Sequence, residues 1–316
     1  MKIVILDGGT TNPGDVSWEP IAALGDLTVY DSTPPELVIP RAQDADALII
    51  NRIALTKETL EQLPKLRFIG MLATGYNTVD TAAARELGIP VCNVPLYCVE
   101  MVAQQAFTLL LSLCGNVHRY SETVRAGKWQ EAVAMNYQGY PLFELYRKTL
   151  GIVGYGSIGK CVAQLGLTLG MNVLLYSRTK KDAPEGCRWV DLETLFAESD
   201  VVSLHCPLNE QTQGLVNEHL LSLMKPTAFL INTSRGGVVD SYALAAALNS
   251  GKLAGAGVDV MAQEPPAADD PLLTAKNCVI SPHIAWASKE ARERLIRIVA
   301  DNLQSFQNGA TQNAVN

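Results

Sequence analysis

Three side chains able to act together lie far apart in the sequence but in similar local settings. Arg235 follows Leu230-Ile231-Asn232-Thr233-Ser234 and precedes Gly236-Gly237, Glu264 follows Gly257-Val258-Asp259-Val260, and His283 follows Val279-Ile280-Ser281-Pro282. Each apolar run reads as a strand, so each residue stands just past a carboxyl end, the edge at which open α/β sheets bind ligands. A guanidinium there can grip a carboxylate with its planar fork and polarise an adjacent carbonyl. An imidazolium can give the carbonyl oxygen a proton near neutral pH. A carboxylate beside the imidazole would orient it and favour its charged form. Together these groups suit hydride transfer to a small 2-oxo acid, or the reverse oxidation of a 2-hydroxy acid. Singly, each also fits a structural role: a satisfied histidine, a turn-capping arginine, a solvated loop glutamate.

A hydride needs a carrier, and the residues for one are present. Gly154-Tyr155-Gly156-Ser157-Ile158-Gly159 follows the apolar run Leu150-Gly151-Ile152-Val153 and opens a helical pattern. In a dinucleotide-binding turn the first glycine permits the tight bend, the second admits the pyrophosphate, and the third lets helix and strand pack closely. About twenty residues on, an NAD site ordinarily carries an acid for the ribose 2′-hydroxyl. Here the strand ends Tyr176-Ser177-Arg178-Thr179-Lys180-Lys181. Hydroxyls beside cations would attract a 2′-phosphate that an acid would repel, which favours NADP(H), with NAD(H) and an uninformative basic loop as the alternatives. No cluster has metal-ligand spacing, and no metal is expected.

Stepping outward, the elements that must position these groups alternate. Strand-like runs span Ile3 to Leu6, Leu27 to Tyr30, Ala47 to Ile50, Phe68 to Leu72 and Pro90 to Val94, with helical spacing over Thr56 to Gln62 and Asp80 to Leu87. One connecting helix is expected from Val99 to Val124. A second alternation begins at Thr149 and is long enough for a complete dinucleotide fold, and an amphipathic helix from Ser288 to Phe306 follows. The fold class is therefore α/β, with two doubly wound parallel-sheet domains. One is a Rossmann domain over 99–286; the other is a smaller flavodoxin-like substrate domain over 1–98 plus 287–316, leaving a cleft where the chain crosses.

Composition narrows the function classes. A chain of 316 residues exceeds the usual single core, in keeping with two domains. A formal charge of −7 gives no basic field for nucleic acid. The seven cysteines are scattered, without Cys-x-x-Cys, and read as thiols of a reducing compartment. No leader-like segment opens the chain and no apolar stretch reaches the ~20 residues that a membrane span needs, so a cytoplasmic location is expected.

Across essentially its whole length the chain resembles the D-isomer-specific 2-hydroxyacid dehydrogenases. The matching segments are Ala73-Thr74-Gly75-Tyr76-Asn77-Thr78-Val79-Asp80, the glycine turn, Asn232 to Gly237, Gly257 to Val260 with Glu264-Pro265, and Ser281-Pro282-His283-Ile284-Ala285. The resemblance implies that Arg235 binds substrate carboxylate and carbonyl, that His283 is the proton donor or acceptor, and that Glu264 pairs with it. It implies that backbone groups of Ala73, Thr74 and Gly75 hold the carboxylate, with Asn51, Arg52 and Trp286 near the substrate. By the same likeness the cofactor is lined by Gly154, Gly156, Ser157, Ile158, Gly159, Ser177, Arg178, Thr179, His205, Cys206, Pro207, Thr212, Thr233, Ser234, Arg235, Asp259, His283 and Ala285. The stretch Pro282 to Ser288 looks most like the glycerate dehydrogenase or hydroxypyruvate reductase branch, and a homodimer is the family habit. Departures are Ser177-Arg178 in place of the ribose-binding acid and Gln104 where Glu is common. A phosphoglycerate dehydrogenase-like enzyme and a dinucleotide-sensing co-repressor are the competing readings; the complete Arg235, Glu264, His283 set argues for turnover.

Overall fold

Runs of Ile, Val and Leu buried on both faces form the centres of two parallel sheets in a computed structural model that describes residues 1–132, 136, 138–180 and 182–316. Lys181 of the basic loop lies outside the described residues. The chain divides into two compact units, Met1–Cys98 with Trp286–Asn316, and Val99–Ala285.

In the first unit, strands β1 (Lys2–Ile5), β2 (Asp26–Val29), β3 (Ala47–Ile50), β4 (Phe68–Met71) and β5 (Val91–Cys92) lie in the order β2-β1-β3-β4-β5. Every residue of β3 and β4 is buried, as a central parallel strand requires, whereas the edge strand β2 is partly exposed. Helices begin where an oxygen side chain can satisfy an orphan amide. Thr56 caps Lys57–Glu61, Asp80 caps Thr81–Glu86, and Ser288 caps Lys289–Gln307. That last helix rejoins the unit through buried Leu295, Ile296, Val299 and Leu303 and packs on β4, with the Phe306 and Phe68 ring centroids 5.2 Å apart. Arg292 anchors its first turn through paired bonds of 2.6 and 2.7 Å to Asp15.

In the second unit, β6 (Thr149–Val153), β7 (Asn172–Tyr176), β8 (Cys187–Trp189), β9 (Val201–Leu204), β10 (Phe229–Asn232), β11 (Gly255–Val258) and β12 (Cys278–Ile280) lie in the order β12-β11-β10-β9-β6-β7-β8. Helix Ser157–Thr168 covers one face together with Val99–Gly115, which buries Val102, Ala106, Leu109, Leu110 and Leu113. The single connecting helix expected to Val124 is instead two, Val99–Gly115 and Val117–Arg125. Asn116 between them is left-handed at φ 46, a conformation that Asn tolerates better than most residues. Strand β8 and the helix Glu218–Leu223 were not foreseen, being short and partly polar. Among the described residues no helix is long and apolar enough to cross a membrane.

Candidate active site

The strand order of the second unit reverses between β6 and β9, and the glycine turn stands at that switch point, where open sheets bind ligands. Gly154 leaves β6 with φ +100, and its N–H donates to the Tyr176 carbonyl at 2.8 Å. A side chain there would meet the His205 carbonyl carbon at 2.6 Å. Gly159 passes so close to Gly154 that a Cβ would lie 2.1 Å from its carbonyl oxygen. Gly156, by contrast, faces open space, and it begins helix Ser157–Thr168 without a side-chain cap. An uncapped helix start presents free N–H groups and the positive end of the helix dipole to an anion. Tyr155 is buried beneath the turn, its ring 5.5 Å from that of Trp189 on β8. The unforeseen strand thus buttresses the turn.

Two orphaned polar atoms lie at the carboxyl ends of neighbouring strands. Thr233 Oγ1, after β10, and His205 Nδ1, after β9, are buried without a hydrogen-bond partner, while His205 Nε2 shares 2.8 Å with Ser203 Oγ. Burial lowers the His205 imidazole to about 3 and pushes the Cys206 thiol up. The segment after Pro207 is closed by Thr212, whose hydroxyl donates to the Pro207 carbonyl at 2.6 Å. An open cradle at Gly156, free helix amides and unsatisfied polar atoms fit a bound dinucleotide. Past β7, Ser177 lines a cavity of about 550 Å³ with Lys180, Arg188 and Asp191. Arg178 instead donates to Gln211 Oε1 at 3.0 Å, and Thr179 is exposed.

Two of the three reactive side chains meet directly. His283 Nδ1 and Glu264 Oε2 are 2.6 Å apart, and Glu264 Oε1 accepts the Met261 N–H at 3.1 Å. His283 is left-handed, φ 53, and this costly conformation is held from both sides. Its own N–H donates to the Asp259 carbonyl at 2.7 Å. The buried Asp259 carboxylate accepts Ile284 N–H at 3.0 Å, Ala285 N–H at 2.9 Å and the Ser281 hydroxyl at 2.6 Å. Gln105, from helix Val99–Gly115, donates to that hydroxyl at 3.1 Å.

Arg235 is exposed, and its Nη1 donates to the Ser234 carbonyl at 2.7 Å; among the described residues its guanidinium makes no hydrogen bond or ion pair with Glu264 or His283. Its turn is placed by backbone. Asn232 accepts from Ser234 N–H and Oγ–H and donates to the Arg235 carbonyl at 3.0 Å. A Cβ on Gly236 would lie 2.0 Å from the Met261 carbonyl carbon, so the Arg235 turn lies against the loop that carries Glu264.

In the first unit, Thr74 Oγ1 donates to the Val94 carbonyl at 2.7 Å, Asn93 Nδ2 donates to the Thr74 carbonyl, and Val94 N–H donates to that of Ala73, which pins the Ala73-Thr74-Gly75 loop. Asn51 and Arg52 follow β3, where their N–H groups donate to the Asp7 carboxylate at 2.9 and 2.6 Å. Trp286 is half-buried at the start of the returning segment. Asn232, Gln105, Ser203 and Asp7 are not among the site residues expected from sequence: Asn232 and Asp7 give the one local sign of a polar residue at or just past the end of an apolar strand, Ser203 lies within β9, and Gln105 gives none.

Residues 107–285 match the family model for the D-isomer specific 2-hydroxyacid dehydrogenase, NAD binding domain. The chain belongs to this family. It is 46% identical to the hydroxypyruvate reductase of Blautia hydrogenotrophica, with all of both chains covered, and 41% identical to the glycerate dehydrogenase of Methylorubrum extorquens, with 90% of each covered. Among solved structures it is similar to an acyclic imino acid reductase in complex with NADPH and D-Arg, at a TM-score of 0.87 and 32% identity over the whole of both chains. As a family member the chain is an NAD(P)-linked 2-hydroxyacid oxidoreductase.

Proposed function

We propose that the chain reduces hydroxypyruvate to D-glycerate, or glyoxylate to glycolate, with NADP(H) in preference to NAD(H). The observation that carries the reading is the 2.6 Å bond between Glu264 and the His283 ring at the ligand-binding edge of the sheet. When bound, the nicotinamide cofactor supplies or takes the hydride at the substrate's second carbon. His283 holds the proton: with Nδ1 committed to Glu264, Nε2 is left to give a proton to the substrate oxygen, or to take one in the reverse direction. Arg235 binds the carboxylate and polarises the carbonyl, its fork matching two oxygens at once. In the first unit, backbone groups of Ala73 to Gly75 serve a substrate carboxylate, and Asn51, Arg52 and Trp286 serve the rest of the substrate.

For the cofactor, Gly156 and the first turn of Ser157–Thr168 serve the pyrophosphate, and Ser177, Arg178 and Lys180 serve a 2′-phosphate. Support for NADP(H) comes from the absence of an acid after Tyr176 and from the NADPH bound by the imino acid reductase. A cytoplasmic homodimer completes the proposal, supported by the exposed Leu111 and Val117 of the two connecting helices. The test is steady-state oxidation of NADPH and of NADH with hydroxypyruvate, glyoxylate and pyruvate supplied in turn. Hydroxypyruvate or glyoxylate with NADPH should give the highest kcat/KM. Cofactor binding without turnover on any of these acids would end the enzymatic reading, and equal or better use of NADH would end the NADP(H) one.

A further inference from the structure

We propose that Asp7 is a positioning residue for substrate recognition, holding the Asn51–Arg52 turn through hydrogen bonds from that turn's backbone to its carboxylate. Asn51 and Arg52 have the substrate role given above, and the inference rests on that reading.

The first unit's sheet, in the order β2-β1-β3-β4-β5, reverses direction between β1 and β3. In sheets of this order the ligand crevice opens at the carboxyl ends of those two strands. Asp7 follows β1, and Asn51 and Arg52 follow β3. Its Oδ1 accepts the Asn51 N–H at 2.9 Å and its Oδ2 the Arg52 N–H at 2.6 Å, so one carboxylate spans the crevice. The Asn51 side chain is fixed from the same side. Its Nδ2 donates to Thr10 Oγ1 at 3.0 Å and Thr11 Oγ1 at 3.3 Å, and Thr10 Oγ1 donates to the Asp7 carbonyl at 2.7 Å. With its amide nitrogen turned toward this loop, Asn51 presents its oxygen away from it, and the Arg52 side chain is exposed.

Asp7 is 2% exposed, and burial raises its carboxyl against the lowering effect of the amides of Arg52, Asn51 and Ile53. A buried carboxylate is a costly acceptor for backbone amides that water could satisfy at a loop. The same device recurs in the second unit, where buried Asp259 takes two successive amides beside His283. In both units a buried carboxylate fixes the backbone of a turn that carries chemistry.

The experiment uses the full-length protein with Asp7→Asn, which keeps the size of the side chain but sets an amide NH2 against one backbone N–H. Losing a charge-assisted bond of this kind should raise KM for hydroxypyruvate roughly tenfold. The kcat should stay within about twofold and the dissociation constant for NADPH should not change, because cofactor and proton donor belong to the other unit. Thr10→Val loosens the same turn by removing the bond to the Asn51 side chain, without touching the carboxylate. It should shift KM in the same direction by a smaller factor, and it carries the test if Asp7→Asn does not fold. A purely structural Asp7 would lower the melting temperature and the active fraction with KM unmoved. That result, or unmoved KM in Thr10→Val, overturns the inference. Arg52→Ala and Asn51→Ala separate the two levels. If both leave hydroxypyruvate kinetics unchanged, their substrate role is lost and the inference with it; if they raise KM while Asp7→Asn and Thr10→Val do not, the inference alone fails.

Discussion

The turn after β6 and the loop after β7 leave adjacent strands of one sheet, yet they are built on opposite principles. The first is made of backbone. A Cβ on Gly154 would press on the His205 carbonyl carbon and one on Gly159 on the Gly154 carbonyl oxygen, and Tyr155 is packed edge-on against Trp189 beneath. The second is made of side chains: Arg178 and Lys180 are exposed beside half-buried Ser177, and Arg178 is held by one 3.0 Å bond to Gln211. A pyrophosphate is common to both nicotinamide cofactors and can be met by a rigid cradle. The ribose substituent differs between them, and exposed side chains can change without disturbing the fold. A backbone frame that tolerates no side chain thus stands beside a loop whose groups can be exchanged, and the variants below set one against the other.

The largest effect should come from a side-chain group. His283→Ala should lower kcat by roughly 10²–10⁴, the range for losing a general acid, with NADPH affinity largely retained. A comparable loss of affinity would mean that frame and chemistry are not separable. Next come the glycines themselves. Gly159→Ala should cost about 1–3 kcal/mol in denaturant unfolding, because a Cβ would press on the Gly154 carbonyl. Gly156→Ala should leave stability near wild type while weakening dinucleotide binding, since its Cβ would enter space that the protein leaves open. Equal stability losses in the two variants would erase the difference between frame and cradle.

His205 supports the frame from behind, and its imidazole is lowered to about 3 by burial. A histidine depressed on folding adds stability that is complete above the unfolded value near 6.5 and is lost as pH falls toward the folded value. At pH 5 the loss should be about 2 kcal/mol, and His205→Gln should flatten that limb of the stability profile. An unchanged acid limb in the variant would remove His205 as its cause. The smallest effect belongs to the exposed loop. Ser177→Asp with Arg178→Ser should move the NADPH to NADH preference by up to about fivefold toward NADH, the scale of a surface ion pair. No shift would show that the loop does not read the ribose.

Much of this frame was legible in the residues. Ala47–Ile50 begins and ends where expected, Phe68–Met71 ends one residue early, and the helices Lys57–Glu61 and Thr81–Glu86 lie within the expected spacing. An unbroken apolar run admits few alternatives, and Thr56 and Asp80 cap the two helices by local bonds that a short segment specifies alone. The Glu264–His283 pairing was expected from the residue types and the resemblance, and the two side chains lie 2.6 Å apart. What escaped depends on distant partners. Nothing near Gln105 announces that its amide will reach Ser281, 176 residues later, and nothing beside Asp7 announces the amides after β3. The left-handed backbone of His283 was equally hidden, because the Asp259 bonds that sustain it belong to another strand. The break at Asn116 was missed because the apolar spacing on either side continues across it.

The first unit is assembled from two distant stretches, with buried Leu295, Ile296, Val299 and Leu303 filling one side of its core and Val315 N–H bonded to the Val91 carbonyl. Each such Leu or Ile contributes roughly 1.5–3 kcal/mol when fully buried, so the N-terminal stretch lacks a substantial share of its stabilisation until the returning helix is available. The second unit is continuous and has every residue it needs once Ala285 is made. Vectorial synthesis therefore reverses the usual order: the unit translated in the middle has all its residues before the unit that emerges first, whose core waits for the segment carrying Leu295 to Leu303.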